Sequence, residues 1–265
     1  MIVVGELINA SRKVIKAAIT ERDGAAIQQV ARDQAEHGAA FIDVNAGVFE
    51  DREAECLEWL VAEVRKATET PCSVDSPDVK VAERALAAHS GAALVNSISL
   101  EKSRFEDFTA LVAGSEHHVV ALCMGDDGIP TTLDQRLANA DRLVNHLVGK
   151  GIPEDRIFLD PLLHAISTSE TAGLDFLRAA AAIRERFPGA HRICGLSNVS
   201  FGLPRRKILN QTFAVMAVAY GVDAGILNPL DDKLMTNILA AETLAGRDQW
   251  CERYLNAHRE NRLNP

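Results

Sequence analysis

Residues 40–45 read Ala40-Phe41-Ile42-Asp43-Val44-Asn45, a short apolar run that ends in polar side chains. Such a run, with β-branched residues in it, predicts a buried β-strand. A longer segment rich in Glu, Ala, Leu and Arg follows it and predicts a helix. The strand and the helix that follows it therefore indicate one β/α unit.

Runs of the same kind recur along the whole chain, each followed by a helical segment. They lie at residues 2–6, 40–45, 72–75, 92–96, 118–124, 156–160, 192–198 and 223–228. Apolar stripes at helical spacing occupy 25–37 and 133–148, and Asp51 and Thr132 are expected as helix N-caps. Eight such units predict an α/β protein in which residues 1–265 form one (β/α)8 barrel, or TIM barrel, in a single domain.

Composition excludes several other classes of protein. The formal net charge of −9 opposes broad affinity for nucleic acid, and the only compact basic patch is Arg205-Arg206-Lys207. The longest apolar run, residues 213–220, is too short for a membrane span, and the N-terminus carries no secretion signal. Five cysteines without a Cys-x-x-Cys pair fit reduced thiols. We therefore expect a cytoplasmic protein that contacts neither membrane nor nucleic acid.

Polar side chains end nearly every predicted strand. They include Glu6, Asp43, Asn45, Asp75, Asn96, Asp160, Asn198 and Asn228. In a barrel these positions lie at the C-terminal rim, where the fold builds its active sites. A single Asp or Asn there is as well explained as a cap of the following helix. A ring of them favours a polar ligand in the barrel mouth.

The chemistry of the ring narrows the ligand class. A phosphate would require cations near the last strands, but residues 228–232 read Asn-Pro-Leu-Asp-Asp. A metal site is disfavoured because the eight histidines show no paired spacing. Amides and carboxylates suit a planar heterocycle with several N–H donors. The 2-aminopyrimidinone edge of a pterin has this pattern, since one carboxylate can accept two parallel hydrogen bonds from it.

Several strings, in this order along the chain, resemble the pterin-binding methyltransferases. The resemblance is strongest to the methyltetrahydrofolate:corrinoid protein methyltransferases and more distant to the folate domain of cobalamin-dependent methionine synthase. The strings are residues 5–9 (GELIN), 43–47 (DVNAG), 74–76 (VDS), 95–97 (VNS), 159–162 (LDPL) and 195–200 (GLSNVS).

The resemblance implies roles for seven residues. Three would hydrogen-bond the pterin ring, namely Asp75, Asn96 and Asp160. Asn198 would lie beside the reactive N5 nitrogen and is the catalytic candidate. Glu6 and Asp43 would line the same pocket, and Arg206 matches an arginine of the family in a loop that could meet the benzoyl-glutamate tail or a partner protein. For the neighbouring Arg205 and Lys207, a solvated helix start is an equally good interpretation.

The family resemblance also implies the reaction. A methyl group would move between N5 of tetrahydrofolate or 5-methyltetrahydrofolate and the cobalt of a corrinoid (cobalamin). The corrinoid would belong to a separate protein, because the chain has no Asp-x-His-x-x-Gly corrinoid-binding string. Asn198 is no general acid, but its amide could position charge and hydrogen bonds at N5. The family further implies a homodimer.

Three functional questions stay open from the sequence. The transfer could run towards tetrahydrofolate, in O- or N-demethylation, or away from it, in acetyl-CoA synthesis. Dihydropteroate synthase shares the barrel and the pterin pocket, although the acidic end of the eighth strand opposes its pyrophosphate leaving group. A non-catalytic pterin-binding protein would have no use for Asn198.

Overall fold

The computed structural model describes residues 1–264 and contains one eight-stranded parallel sheet. Its order is β7-β6-β5-β4-β3-β2-β1-β8. The strands are β1 (Ile2–Asn9), β2 (Phe41–Asn45), β3 (Cys72–Asp75), β4 (Leu94–Leu100), β5 (His118–Gly125), β6 (Ile157–Asp160), β7 (His191–Arg192) and β8 (Ala224–Leu227). Ile226 N donates to Cys194 O at 2.9 Å, which links the two ends of the sheet. The predicted barrel is confirmed.

Helices alternate with the strands and cover the outside of the barrel. They are α1 (Lys13–Glu21), α2 (Gly24–Glu36), α3 (Glu53–Ala67), α4 (Val79–Ala87), α5 (Phe105–Val112), α6 (Leu133–Gly149), α7 (Ala172–Arg186), α8 (Arg206–Ala219), α9 (Asp232–Leu244) and α10 (Glu252–Arg259). Thr132 caps α6 in a capping box with Gln135, as expected. Within residues 1–264, no helix has both the length and the apolar character needed to cross a membrane.

The interior of the barrel changes from apolar to polar along the strands. Phe41, Leu94 and Phe158 pack in one buried apolar cluster inside the barrel. Side chains two residues apart on a strand share a face. The next inward positions on the same strands are therefore Asp43, Asn96 and Asp160. The inward-facing side chains thus form an apolar layer and, nearer the C-terminal ends of the strands, a polar layer.

The seventh predicted strand is the main error of the sequence prediction. Only His191–Arg192 is a strand, and Leu196–Ser200 forms a 3-10 helix in place of the strand expected over 192–198. Pairing with β8 ends at the bridge between Gly195 and Ile226. Asn198 N then donates to Gly195 O at 3.0 Å, because the chain has already turned. Asn198 therefore lies on a turn above the barrel.

Smaller differences concern strand ends and one cap. β1 continues past Glu6 to Asn9, and β4 continues past Asn96 to Leu100. Asp51 is not an N-cap, because it lies within a 3-10 helix over Gly47–Arg52 and the N-cap of α3 is Arg52.

A bulge in β1 brings two polar residues to the same side of the strand. The register runs from Gly5 opposite Ile42 to Ile8 opposite Val44, so β1 has one extra residue. Leu7 N donates instead to the buried Gln34 Oε1 at 3.0 Å. Glu6 and Asn9 both line the same cleft as a result, which strict alternation would forbid.

Gly5→Ala is expected to destabilise the protein by about 1–3 kcal/mol, because overpacking forces buried groups apart. A Cβ at Gly5 would overlap Gln34 Oε1. Gly149→Ala is the control, since a Cβ there would meet no atom within 4 Å. Urea unfolding measures both variants. Equal free energies of unfolding for the two would contradict the proposed role of Gln34 in the bulge.

Candidate functional site

An open cleft of about 530 Å³ lies at the C-terminal ends of the strands. Six of the seven residues implied by the family resemblance line it, namely Glu6, Asp43, Asp75, Asn96, Asn198 and Arg206. The seventh, Asp160, does not line the cleft and is 8% exposed in the barrel interior. The structure therefore gathers six of the candidates around one cavity and places Asp160 in the polar layer of the barrel.

A hydrogen-bond network orients Asn96 on the floor of the cleft. Asp43 Oδ1 accepts hydrogen bonds from Ser73 Oγ at 2.7 Å and from Asn96 Nδ2 at 3.1 Å. Because the amide nitrogen of Asn96 is used by Asp43, its oxygen is left to accept a hydrogen bond from a ligand. Asp43 thus fixes the orientation of the Asn96 amide.

A second network fixes Asp75. Asn45 Nδ2 donates to Asp75 Oδ2 at 2.9 Å, and Asn45 Oδ1 accepts from Gly47 N at 3.1 Å. The amide of Asn45 is therefore held at both ends, and Asp75 Oδ1 stays available. Asp75 and Asn96 are also direct neighbours in the register of β3 and β4. Together they present two acceptor groups side by side.

Burial raises the pKa of four carboxyl groups in and below the cleft, those of Glu6, Asp43, Asp75 and Asp160. It raises the pKa of Asp43 well above its ordinary value, and the nearby Asp75 raises it further. Burial raises the pKa of Asp75 to about 6 and that of Asp160 to about 7. Burial also raises the pKa of Glu6, although the charges of Arg12 and Arg206 oppose this. The floor therefore favours a ligand whose N–H donors stabilise the ionised carboxylates.

Asp75 and Asn96 do not cap the helices that follow them. The N-cap of α4 is Asp78, whose side chain accepts from Lys80 N, and the N-cap of α5 is Arg104. Helix capping therefore does not explain the polar side chains of Asp75 and Asn96. Asp160 differs, because its Oδ1 accepts from Leu162 N at 2.7 Å and so also holds the loop after β6.

Asn198 stands at the mouth of the cleft on the 3-10 helix described above, and its side chain is exposed. Gly195 lies beneath it, since a Cβ there would be 2.9 Å from Asn198 Nδ2. Arg206 ties this turn to the start of α8. It donates from Nη2 to Ser197 O at 2.7 Å and from Nε to Ser200 Oγ at 3.0 Å.

Several residues of the cleft were not predicted from the sequence, and Arg12 and Phe201 are two of them. Arg12, the N-cap residue of α1, and the exposed Phe201 both line the cleft. Arg12 could have been predicted from the sequence, because it lies in the loop after the first strand and such loops surround the barrel mouth. Phe201 lies between the 3-10 helix and α8, and the guanidinium of Arg206 lies 5.7 Å from the centre of its ring.

Two kinds of sequence relative match this chain. Residues 5–228 match the family described as pterin binding enzyme. A methylcorrinoid:tetrahydrofolate methyltransferase from Eubacterium limosum is 35% identical over 100% of this chain and 98% of its own length. A methionine synthase from Mycobacterium tuberculosis is 29% identical over 86% of this chain, which corresponds to 20% of that longer protein.

Solved structures of dihydropteroate synthases share the fold. The enzyme from Vibrio fischeri superposes with a TM-score of 0.69 at 13% identity, covering 93% of each chain. The enzyme from Coxiella burnetii, in complex with pteroic acid, gives 0.67 at 17% identity, covering 92% of this chain and 93% of its own. At these identities the likeness shows the fold alone, whereas the sequence matches show the family. The chain belongs to the family of pterin-binding enzymes.

Proposed function

We propose that this protein is a methyltransferase that moves a methyl group between the cobalt of a corrinoid and N5 of tetrahydrofolate. The arrangement of Asp75 and Asn96 on the cleft floor is the observation that carries this proposal. Their neighbouring acceptors match the row of N–H donors along the edge of a reduced pterin. The 35% identical relative, named for methylcorrinoid and tetrahydrofolate, supports the same reaction.

Asp160, which lies in the polar layer of the barrel interior and not on the cleft lining, would add the third contact to the pterin. A carboxylate can accept two parallel hydrogen bonds from a guanidinium-like edge, as it does from arginine. The cleft floor would thereby hold the ring in one orientation. Glu6 and Asp43 line the same cleft, and Asp43 acts by orienting the amide of Asn96.

Asn198 would act on the reacting nitrogen. Charge and protonation at N5 change as its bond to the methyl group forms or breaks, and a rotatable amide can stabilise that change through a hydrogen bond. The proton itself is exchanged with water, because an amide has no titratable proton at neutral pH. The corrinoid, when bound, supplies the cobalt that gives or accepts the methyl group.

The organisation around this reaction is part of the proposal. The corrinoid is carried by a separate protein, and the name of the relative from Eubacterium limosum favours transfer towards tetrahydrofolate, as in O- or N-demethylation. We also propose a single catalytic domain over residues 1–265, a homodimer and a cytoplasmic location. Dihydropteroate synthase is the weaker alternative, since its likeness to this chain is one of fold.

Calorimetry with tetrahydrofolate tests the proposal on the wild type, Asp75→Ala and Asp78→Ala. Asp75→Ala is expected to weaken binding about 10–100-fold, because a buried hydrogen-bond partner is lost, with the melting temperature nearly unchanged. Asp78→Ala is the control, since loss of the α4 N-cap should cost about 1 kcal/mol of stability and no affinity. A folded wild type that binds no tetrahydrofolate would overturn the pterin site.

Methyl transfer itself is then measured with methylcobalamin and tetrahydrofolate, by the absorbance change of the corrinoid. The wild type is expected to accelerate demethylation of methylcobalamin in a tetrahydrofolate-dependent manner. Tight folate binding without any methyl transfer to tetrahydrofolate, either from free methylcobalamin or from a methylated corrinoid protein, would favour the non-catalytic alternative.

A further inference from the structure

We infer that two residues behind the cleft floor, Arg104 and Glu53, set the charge of Asp75 and thereby the pH range in which the pterin binds. Neither of them lines the cleft, so both act as positioning residues without touching the ligand. Arg104 also holds the backbone that follows Asn96. This inference rests on the proposed function, because it takes Asp75 and Asn96 to be the residues that bind the pterin.

Arg104 supports the end of β4 beside Asn96. It is the N-cap residue of α5, and its Nη2 donates to the carbonyl oxygen of Ser97, the residue after Asn96. The register of β4 with β5 shifts between Asn96 and Ile98, so Ser97 lies in an irregular part of the strand. A guanidinium can pair such a carbonyl group where the strand ladder is interrupted. Arg104 therefore fixes the backbone beside one of the two floor residues.

The charge of Arg104 is only partly compensated by its surroundings. Its side chain is 19% exposed, and its guanidinium lies 4.9 Å from the centre of the buried Phe108 ring. The distance from Nη1 to Glu101 Oε2 is 3.8 Å, which is too long for a hydrogen bond. Nε is buried and meets no acceptor within residues 1–264. The positive charge therefore also acts on other groups nearby, and Asp75 is one of them.

Glu53 approaches the floor from a different element. It is the first residue of α3, and its Oε1 accepts from Ser76 Oγ at 2.7 Å. Ser76 follows Asp75, is buried, and donates from its backbone N to Asn96 O at 3.0 Å. The carboxylate of Glu53 is thereby held beside the neighbour of Asp75, where a second negative charge disfavours ionisation. Glu53 and Arg104 thus act on Asp75 with opposite signs.

The groups around Asp75 differ in the direction of their effect. Burial, the largest effect, raises the pKa of Asp75 to about 6, and the hydrogen bond from Asn45 lowers it. Glu53 raises this pKa and Arg104 lowers it. Asp43, on β2, is a further carboxyl group beside Asp75, and the charge of Asp75 raises the pKa of Asp43. The balance of one cation against two carboxylates therefore decides how far the pH can fall before Asp75 is protonated.

The test titrates Asp75 in the ligand-free protein by NMR of its carboxyl carbon, assigned with Asp75→Asn. The wild-type midpoint is expected near pH 6. Arg104→Gln keeps an amide donor for Ser97 O but removes the charge, so it should raise the midpoint by about half a pH unit. Glu53→Gln keeps an acceptor for Ser76 Oγ and should lower the midpoint by about the same amount. Arg104→Lys keeps the charge and should restore the wild-type midpoint.

Calorimetry with tetrahydrofolate then measures the consequence for binding. Arg104→Gln should weaken binding about two- to threefold near pH 6 and change it little near pH 8, where the carboxyl group is ionised in every variant. Glu53→Gln should strengthen binding near pH 6. Lys102→Gln is the matched control, because Lys102 is a cation close to Arg104 in the sequence with a side chain 93% exposed.

Three outcomes would contradict these assignments in different ways. An Asp75 midpoint that neither Arg104→Gln nor Glu53→Gln moves, or that Lys102→Gln moves as much as Arg104→Gln, would overturn the inference. An affinity loss in Arg104→Gln of equal size near pH 6 and pH 8 would also overturn it, since Arg104 would then only support the backbone. Shifted midpoints in a wild type and variants that bind no tetrahydrofolate would instead overturn the proposed function.

Discussion

Replacing Asn198 with alanine is expected to lower the rate of methyl transfer by about 10²–10³-fold, the usual cost of removing one positioned hydrogen-bonding group at a reacting centre. The affinity for tetrahydrofolate should change little. Asp75 and Asn96 lie on the floor of the cleft, whereas Asn198 stands at its mouth on a separate element. We therefore propose that ring binding and transfer chemistry depend on different side chains.

The measurement is a single-turnover assay with methylcobalamin, beside calorimetry on the same preparations. A loss confined to the rate supports a role in the transition state, while an equal loss of rate and affinity would place Asn198 among the ring-binding residues. Asn198→Ala should also fold normally, because the side chain is exposed and makes no hydrogen bond with residues 1–264.

Gly195→Ala provides an independent variant that keeps the amide but moves it. The added Cβ would lie 2.9 Å from Asn198 Nδ2, so the carboxamide must shift. A misplacement of this size should lower the rate by about tenfold or more, again with affinity nearly unchanged. Wild-type rates in both variants would remove Asn198 from the mechanism.

The barrel and its polar rim could be predicted because both follow from local periodicity. Alternation in strands such as Phe41–Asn45 places an apolar side chain and then a polar one on the same inward face. Such a pattern depends on neighbours in the sequence alone. The ring of carboxylates and amides around the cleft is the direct consequence. The seven candidate residues were implied by the family resemblance, and six of them line that cleft.

The remaining features depend on contacts between distant residues. The seventh strand stops early because its pairing with β8 ends at Gly195, and residues 196–200 then turn. The bulge in β1 requires Gln34, which lies on α2. Arg12 lines the cleft only because the loop after the bulged strand β1 lies beside the cleft. No local pattern encodes these contacts, and each of them affects the site.

Asp160→Asn is expected to stabilise the protein without ligand and to weaken its pterin binding by about 100-fold or more. Burial raises the pKa of Asp160 from its ordinary value of 3.8 to about 7. The folded state therefore keeps the proton while the unfolded state loses it, and the free energy of unfolding falls as the pH rises from about 4 to about 7. Each pKa unit corresponds to about 1.4 kcal/mol, so the penalty at pH 8 is up to about 4 kcal/mol.

Asparagine removes that penalty and keeps the structural contact. Its Oδ1 can still accept from Leu162 N, as Asp160 Oδ1 does at 2.7 Å. The variant should be more stable than the wild type by about 2–4 kcal/mol near pH 8 and nearly equal to it near pH 4, as measured by urea unfolding at both values. A variant less stable than the wild type near pH 8 would show that burial of the charge costs little.

Binding should respond in the opposite direction. In the variant, Oδ1 still accepts from Leu162 N, so the amide nitrogen takes the place of the free carboxylate oxygen. That nitrogen is a hydrogen-bond donor, and it would face the N–H donors of the pterin without being able to accept from them. Affinity should therefore fall by about 100-fold or more, since a charge-assisted acceptor is replaced by a mismatched group.

In the wild type, the ligand should bind the ionised carboxylate, so affinity should decrease below about pH 7 and binding should release a proton there. Calorimetry in buffers of different ionisation enthalpy counts that proton. Its absence in the wild type, together with unchanged affinity in Asp160→Asn, would assign Asp160 to the loop after β6 alone.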